Sequence, residues 1–389
     1  MKELNAASKL FTDSVIRRMT RLAYATGAIN LAQGFPEFDP PKEITDRLRE
    51  ISASGPHQYA ITMGAPNFRQ ALAKKCGRCM QRTLDPDTEM VVTIGSTEAM
   101  VDTLFALTNP GDKIALFSPY FENYTAQILM AGCEAVFVPL APPAFGFDPN
   151  VLEDALKKGI KALLICNPSN PGGKVFSPEE LARIAELAVR YDIYVIMDEV
   201  YEHIVYAPYR HTYMNSLPGM WERTVSCSSL SKTYSITGWR IGYAIAPKRI
   251  MDRIKQYHDF NAVGAASVLM EAAIVGLEMP ESYYDGLLAE YTRKKQLFTE
   301  GLTDAKIPYT DPHGAYFVLA DVAPFMKKGQ SDVSFCEELA ERAGIACVPG
   351  TSFFEGNVNH IVRMHFAKKD ETLAAAAERL CDIRARLGR

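Results

Sequence analysis

The stretch Ser228-Ser229-Leu230-Ser231-Lys232-Thr233-Tyr234-Ser235-Ile236-Thr237-Gly238-Trp239-Arg240 combines one amine, several hydroxyls and one guanidinium. A strand-like run over 224–228 leads into it, and a second over 241–246 leads out of it. Lys232 is therefore expected in a loop between buried strands, where burial favours the neutral form of an amine. A neutral amine can attack a carbonyl and form an imine.

The groups around Lys232 suit a phosphate, because a planar guanidinium matches phosphate oxygens and hydroxyls add further donors. A small molecule that carries both an aldehyde and a phosphate is pyridoxal 5′-phosphate (PLP). The stretch therefore indicates a PLP site, with Ser229 and Arg240 as candidate phosphate ligands. A surface loop rich in serine and lysine is the alternative.

Asp198 ends the mostly apolar run 192–197, which is typical of a buried parallel strand. A carboxylate at the carboxyl end of such a strand points into the crevice where open α/β sheets bind ligands. PLP needs a carboxylate beside its pyridine nitrogen, since a protonated ring is the electron sink. Tyr201 follows three residues later and is a candidate donor to the phenolate oxygen of the ring. An ordinary helix N-cap is the alternative for Asp198.

Two further segments supply candidate cofactor ligands. In Cys166-Asn167-Pro168-Ser169-Asn170-Pro171-Gly172-Gly173, the two Asn-Pro pairs predict a stiff turn that aims the Asn170 amide. In Val91-Val92-Thr93-Ile94-Gly95-Ser96-Thr97, a short strand meets a glycine and then a helix, whose first amides form a natural anion site. A plain turn and a junction that binds nothing are the alternatives.

In combination, these motifs resemble the fold-type I PLP enzymes of the class I/II aminotransferase family, from about Leu31 to Arg363. The resemblance makes Lys232 the Schiff-base lysine and pairs Asp198 with the pyridinium nitrogen. It places Tyr201 and Asn170 at the phenolate oxygen, with Asn170 also beside the substrate. It assigns the phosphate to Gly95, Ser96, Thr97, Ser229 and Arg240.

The resemblance also implies a substrate site and a partner subunit. Phe121 occupies the position of the aromatic ring that stacks on the cofactor, and Arg363 that of the clamp for the substrate α-carboxylate. Gly34 matches a glycine whose backbone lies beside that carboxylate. Tyr59 matches a tyrosine that reaches the phosphate of the neighbouring subunit, which implies a homodimer with shared active sites. An acidic partner within the chain is the alternative for Arg363, because buried arginines are nearly always paired.

Composition is that of an ordinary globular enzyme. The 389 residues carry 42 Lys plus Arg against 46 Asp plus Glu, and no basic run suggests nucleic acid. No signal peptide or membrane span is apparent, and the cysteines are expected to be reduced core thiols of a cytoplasmic protein. No metal site is expected, although the spacing Cys76-Gly77-Arg78-Cys79 leaves a metal or redox role open.

Strand-like runs alternate with helix-like segments, such as the helix expected over 178–190 after Ser177. This alternation predicts an α/β fold: a large domain with a mostly parallel sheet flanked by helices, over 41–284. A smaller α/β domain is expected from 1–40 and 285–389, with strands over 315–320, 345–348 and 358–366 and helices over 332–343 and 370–387. That the N-terminal arm packs with this small domain is implied by the resemblance.

The predicted activity is transfer of an amino group from an L-amino acid to a 2-oxo acid, by a ping-pong mechanism through pyridoxamine phosphate. A large neutral or aromatic donor is expected, because the candidate pocket residues are mostly aromatic and the segments resemble the kynurenine/glutamine and methionine aminotransferase branch. A C–S β-lyase on the same fold, or a PLP-sensing effector domain, is the alternative. The candidate pocket residues are Tyr24, Phe35, Tyr59, Tyr124, Phe353 and Phe354.

Overall fold

The structure is a computed structural model that describes residues 13–356 and 358–389. The helices are α1 Val15–Thr26, α2 Lys42–Ile51, α3 Pro66–Met80, α4 Gly95–Leu107, α5 Asn123–Met130, α6 Pro149–Leu156, α7 Pro178–Arg190, α8 Lys248–Asn261, α9 Ser267–Leu277, α10 Glu281–Asp304, α11 Asp332–Glu338, α12 Asp370–Cys381 and α13 Ile383–Leu387. The strands are β1 Ile29–Asn30, β2 Met90–Ile94, β3 Lys113–Ser118, β4 Glu134–Ala141, β5 Gly146–Phe147, β6 Ile160–Cys166, β7 Tyr194–Asp198, β8 Thr224–Ser229, β9 Ile241–Ile245, β10 Tyr309–Thr310, β11 Phe317–Asp321, β12 Ile345–Ala346, β13 Val348–Pro349 and β14 Ile361–His365.

The large sheet has eight strands in the order β2-β9-β8-β7-β6-β3-β4-β5. Neighbours from β8 through β4 run parallel, whereas β9 is antiparallel to both β2 and β8, and β5 is antiparallel to β4. One face packs on α6 and α7 through residues such as Leu152 and Ile184. The other packs on α4, α5 and α8 through residues such as Leu104 and Ile254. The predicted α/β fold with a mostly parallel sheet is confirmed.

Parallel register places the ends of three central strands at one edge of the sheet. Cys166 pairs with Asp198, and Asp198 pairs with Cys227, near the end of β8. The loops that follow β6, β7 and β8 therefore meet at this edge, where open α/β sheets bind their ligands. Helix α7 begins as expected, because Ser177 and Glu180 form a reciprocal capping box.

The C-terminal part forms a second, antiparallel sheet in the order β10-β11-β14-β13. Strand β1 pairs with β12, Ile29 opposite Ile345, so the N-terminal segment packs with this part of the chain. Residues 1–12 of the predicted N-terminal arm lie outside the described residues. The domain boundary at 284/285 stays a prediction, and it falls within the first turn of α10.

Several small-domain elements are shorter than expected. The strand expected over 315–320 begins at Phe317, because Ala315 has φ +55°, and the strand expected over 358–366 is β14. The helix expected over 332–343 changes to a π-helical turn at Leu339–Ala343, and the one expected over 370–387 divides at Asp382. In the part of the chain that the structure describes, no helix is both long and apolar enough to cross a membrane.

All eight cysteines are free thiols. Cys76 and Cys79 lie in α3, Cys76 buried and Cys79 half-buried. Burial raises the pKa of the Cys76 thiol to about 12 and also raises the pKa of Cys79. The thiolate that metal binding or disulfide exchange requires is therefore disfavoured at both positions.

Candidate active site

One cavity at the carboxyl edge of the large sheet brings together side chains from distant parts of the chain. Its walls come from the loops after β2, β3, β6, β7 and β8, from β14, and from the N-terminal segment. The residues expected from the sequence that line it are Gly34, Ser96, Thr97, Phe121, Asn170, Asp198, Tyr201, Ser229, Lys232, Arg240 and Arg363.

Lys232 follows β8 and is buried in this cavity, where Nζ donates a hydrogen bond to the Gly34 carbonyl at 3.1 Å. Burial and the nearby charge of Arg240 lower the pKa of Lys232 to about 8, although Asp198 opposes the shift. An amine with this pKa is partly neutral under ordinary conditions. It can therefore act as a nucleophile toward an aldehyde and as a base.

Lys232 is expected to capture PLP faster as the pH rises through about 8. Its pKa lies below the ordinary value of 10.5, so at pH 8 the neutral fraction exceeds that of an unperturbed lysine by about a hundredfold. Stopped-flow absorbance on the cofactor-free protein measures this rate as a function of pH. A pH–rate profile with its midpoint near 10.5, or a rate that does not change with pH, would contradict the assignment.

Asp198 ends β7 and is buried, with Oδ2 accepting a hydrogen bond from the Tyr124 hydroxyl at 2.6 Å. The Val200 amide donates to Oδ1 at 3.4 Å. Burial raises the pKa of Asp198, while the hydrogen bond from Tyr124 opposes that shift. Burial makes the charged form of this carboxylate unfavourable. A protonated ring nitrogen beside it would supply an opposite charge and so stabilise the ionised Asp198.

Replacing Tyr124 by phenylalanine is expected to weaken PLP binding about ten- to a hundredfold, because a hydrogen bond to a charged group contributes about 1.5–3 kcal/mol. Equilibrium titration of the cofactor-free protein with PLP measures the change. Tyr120→Phe is the matched control, since the ring of Tyr120 packs on Phe137 and does not reach Asp198. Equal effects of the two substitutions would remove Tyr124 from the support of Asp198.

The opposite end of the cavity is built for an anion. Gly95 has φ +73°, and a Cβ at this position would lie 2.2 Å from an Arg240 guanidinium nitrogen. The arginine therefore approaches the N-terminus of α4 as closely as only a glycine allows. Ser96, Thr97 and Ser229 line the same end. Amides, hydroxyls and one guanidinium together fit a phosphate.

Arg363 lies on β14 and is 1% exposed. One guanidinium nitrogen donates to Asn170 Oδ1 at 2.7 Å and another to the Ala32 carbonyl, while Nε has no partner. The rings of Phe317 and Phe353 lie 4.5 and 4.7 Å from the guanidinium carbon. Burial lowers the pKa of Arg363 to about 10, which leaves it charged at neutral pH.

No carboxylate within the described residues comes within 4.0 Å of this guanidinium. The acidic partner that was the alternative for Arg363 is therefore not found there. A buried arginine without a charged partner that borders a cavity is suited to the carboxylate of a ligand. The same cavity thus contains Lys232, Arg240 and Arg363. The predicted fit to PLP and an α-carboxylate assigns each of them a different group: the aldehyde to Lys232, the phosphate to Arg240 and the carboxylate to Arg363.

Some expected residues lie elsewhere. Tyr59 is 88% exposed and does not line the cavity of its own chain, and Tyr24 is 75% exposed. Phe353 contacts the Arg363 guanidinium, and Tyr124 supports Asp198, so neither presents its ring to the cavity as a pocket aromatic. The expectation of a pocket lined by six aromatic side chains is wrong for the single chain, because Phe353 and Tyr124 contact other site residues while Tyr24 and Tyr59 lie exposed at the surface. Phe35 and Phe354 are also absent from the lining.

Other residues of the cavity were not expected from the sequence. Helix α1 brings its first turn to the rim, an arrangement that only tertiary packing reveals. Glu122 and Asn123 directly follow Phe121, so the same motif could have indicated them. The additional lining residues are Ser14, Ile16, Arg17, Gln33, Glu122, Asn123, Val200, Ser231 and Phe317.

Comparison with known proteins agrees with this geometry. The sequence model of the family described as Aminotransferase class I and II matches residues 26–380. Kynurenine–oxoglutarate transaminase 3 of Homo sapiens is 32% identical, over 92% of this chain and 86% of its own length. Methionine aminotransferase of Escherichia coli K12 is 33% identical, over 94% and 95%.

The structure of N-succinyldiaminopimelate aminotransferase from Mycobacterium tuberculosis superposes with a TM-score of 0.93 at 33% identity. The superposition covers 97% of this chain and 99% of that one. The chain therefore belongs to the class I and II aminotransferases, a family of PLP-dependent enzymes with PLP fold type I.

Proposed function

We propose that the enzyme transfers the amino group of a large neutral or aromatic L-amino acid to a 2-oxo acid in two half-reactions of a ping-pong mechanism. The observation that carries this proposal is the position of Arg363 relative to Lys232. Arg363 donates to the Ala32 carbonyl and Lys232 to the Gly34 carbonyl, two residues further along the bend that follows β1. A substrate held by its carboxylate at Arg363 would therefore have its α-carbon close to the Lys232 amine.

Each residue then has a defined task. When bound, PLP supplies an electron sink for the negative charge that develops at the substrate α-carbon. Asp198 holds a proton at the pyridine nitrogen, and the Tyr124 hydroxyl orients Asp198. The neutral Lys232 amine removes the α-proton and later returns it. Arg363 and the Asn170 amide fix the substrate carboxylate, so the reacting bond is held in one orientation.

The names of two relatives support the choice of donor, since one transaminase is named for kynurenine and the other for methionine. Ile16 and Phe317 give the cavity an apolar surface, and Gln33 and Asn123 add hydrogen-bonding groups beside it. Arg17 and Glu122 also line the cavity, and because their charges are opposite, the lining as a whole suits side chains that are large and uncharged. Arg240 would take the phosphate and Arg363 the α-carboxylate, so neither of these two cations is left to bind the side chain of the donor.

A screen of amino donors against several 2-oxo acids tests the proposal. Kynurenine, methionine, glutamine and phenylalanine are expected to give higher kcat/KM than aspartate, with parallel double-reciprocal lines that indicate ping-pong kinetics. Release of pyruvate and ammonia from cystathionine in the same assay would reveal a C–S lyase instead. Aspartate as the preferred donor would contradict the proposed substrate class.

We also infer a homodimer with shared active sites. Exposed apolar side chains cluster where segment 57–64 meets the end of α8: Tyr59, Ile61, Tyr257, Phe260 and Val263, which are 88%, 60%, 45%, 91% and 51% exposed. The two regions touch, because His258 hydrogen-bonds to the Thr62 carbonyl. An apolar patch of this kind on the surface of a single chain is suited to burial against a second copy.

Mixing two impaired variants is expected to restore activity when the PLP concentration is kept low enough to leave the Tyr59→Phe homodimer largely unoccupied. Lys232→Ala and Tyr59→Phe each damage both sites of their own homodimer. In a mixed dimer one site carries both defects and the other carries neither, if Tyr59 serves the partner's site. Activity after mixing and refolding measures this. If mixed dimers form but are no more active than the two parent variants, Tyr59 acts within its own subunit or has no role in the site.

The eight free thiols support a reducing compartment, and we propose the cytoplasm. Fractionation with an antibody against the native protein tests the location. Recovery in an oxidising compartment, with disulfides formed, would contradict it.

A further inference from the structure

A buried cluster outside the cavity joins α4 to α8. His258 is 0% exposed; its Nδ1 lies 2.8 Å from Glu98 Oε1 and 3.8 Å from Asp102 Oδ2, and its Nε2 lies 2.8 Å from the Thr62 carbonyl oxygen. Asp102 is also fully buried, and its Oδ2 has no hydrogen-bond partner. Asn261 donates to the other Asp102 oxygen at 3.1 Å.

The arrangement fixes which ring nitrogen carries a proton. A carbonyl oxygen can only accept, so Nε2 of His258 must donate to Thr62. The second proton is shared between Nδ1 and the Glu98 carboxylate. Burial disfavours the charged ring, but the hydrogen bond and charge of Glu98 outweigh it and raise the pKa of His258. The imidazole is therefore a double donor that connects a carboxylate to a backbone carbonyl.

Glu98 and the Thr62 carbonyl, the two groups that His258 connects, both lie close in the chain to residues that the proposed function uses. Glu98 lies in the first turn of α4, directly after the phosphate-binding amides of Gly95–Thr97, and its other oxygen accepts from the Ile94 amide. Thr62 lies three residues after Tyr59.

Side-chain hydrogen bonds hold the chain on both sides of Tyr59. Ser267 Oγ donates to the Pro56 and Gln58 carbonyls before it, at 3.2 and 2.7 Å. After it, His258 donates to the Thr62 carbonyl at 2.8 Å and Arg69 Nε to the Gly64 carbonyl at 3.0 Å, and His258 is the donor nearer to Tyr59 in the chain.

We propose that His258 is a positioning residue that holds segment 57–64, through the Thr62 carbonyl, so that Tyr59 reaches the cofactor phosphate of the partner subunit. The inference rests on the shared active site proposed above. Glu98 adjoins the candidate phosphate-binding turn of its own subunit. One imidazole would therefore hold both that turn and the segment whose Tyr59 reaches the phosphate site of the other subunit. A bare helix–helix contact would do neither.

Two substitutions separate the loop contact from the packing role. The amide nitrogen of glutamine reaches about as far as Nε2, and that of asparagine about as far as Nδ1. His258→Gln therefore keeps a donor for Thr62, whereas His258→Asn keeps one for Glu98 and loses the loop. Hydrogen exchange of residues 57–64 in the cofactor-free dimer is expected to quicken in His258→Asn and to stay near the wild-type rate in His258→Gln.

Cofactor affinity is measured in a mixed dimer whose one subunit carries Lys232→Ala. Its remaining complete site combines Lys232 of one chain with Tyr59 of the Lys232→Ala chain. Borohydride reduction after PLP titration reports occupancy of that Lys232. His258→Asn in the Lys232→Ala chain is expected to weaken affinity about three- to tenfold, the effect of a lost neutral hydrogen bond, and to add little to Tyr59→Phe in the same chain. His258→Gln is expected to lie near wild type.

The outcomes are distinct. If Tyr59→Phe in the Lys232→Ala chain weakens PLP binding but His258→Asn there does not, this inference is overturned while the shared site stands. Equal losses from the asparagine and glutamine variants, additive with Tyr59→Phe, would show that His258 only packs, and overturn it as well. If Tyr59→Phe there has no effect, the shared site and the positioning role fall together.

Discussion

Replacing Lys232 by alanine is expected to lower kcat by about 10³-fold or more while the protein still folds and binds PLP. The Lys232 amine lies in the cavity with a pKa of about 8, so it can move the α-proton, and a positioned acid–base group contributes about 10²–10⁴-fold. Arg240 and Asp198 stay in place and should retain the cofactor without a covalent bond. Steady-state kinetics and a PLP titration together measure the two effects.

The matched control is Lys248→Ala, which removes a lysine on the surface of α8 that pairs with Asp252. Its kcat is expected to equal that of the wild type. Addition of a small primary amine to Lys232→Ala should restore part of the turnover, because the missing group is a base of that kind. Activity in Lys232→Ala within tenfold of wild type would remove the lysine from the proton transfer.

Replacing Arg363 by lysine is expected to lower kcat/KM about 10²–10³-fold for donor and acceptor alike. Charge is kept, but the planar fork is lost, and each hydrogen bond to a carboxylate contributes about 1.5–3 kcal/mol. A lysine also cannot keep the contacts of the guanidinium with the rings of Phe317 and Phe353. The affinity for PLP should be largely retained, since Arg363 hydrogen-bonds to Asn170 and Ala32 and to none of the candidate phosphate ligands.

Arg342→Lys serves as the control, because Arg342 is a half-exposed arginine of the same small domain that pairs with Glu338. Its kinetics are expected to match the wild type for every substrate. If Arg363→Lys left the apparent affinity for both the amino acid and the 2-oxo acid unchanged, the carboxylate would be bound elsewhere. A loss of PLP binding together with substrate binding would instead indicate collapse of the cavity.

The cofactor end could be predicted from the sequence because its residues follow local rules. Asp198 and Lys232 each come at or just after the end of a strand-like run, and parallel strands bring those ends to one edge. Gly95 stands where a strand meets a helix, and its positive φ is a property of glycine itself. The start of α7 was marked by its capping box in the same local way.

The rest depends on contacts between distant segments. The sequence makes Tyr124 a candidate pocket residue, yet its hydroxyl donates to Asp198, which lies 74 residues further along the chain. Phe353 contacts Arg363 because it follows closely after β13, which pairs with β14. The first turn of α1 reaches the cavity because α1 packs on β1, β12 and β13. His258 carries no local signal either, since its two partners lie in α4 and in segment 57–64.

The most direct test is the identity of the lysine that binds PLP. The enzyme is incubated with PLP, reduced with borohydride, digested and mapped by mass spectrometry. The cofactor is expected on one peptide, which contains Lys232, and the label should disappear in Lys232→Ala but persist in Lys248→Ala. Label on any other lysine, or undiminished label in Lys232→Ala, would contradict the assignment of this cavity as the active site.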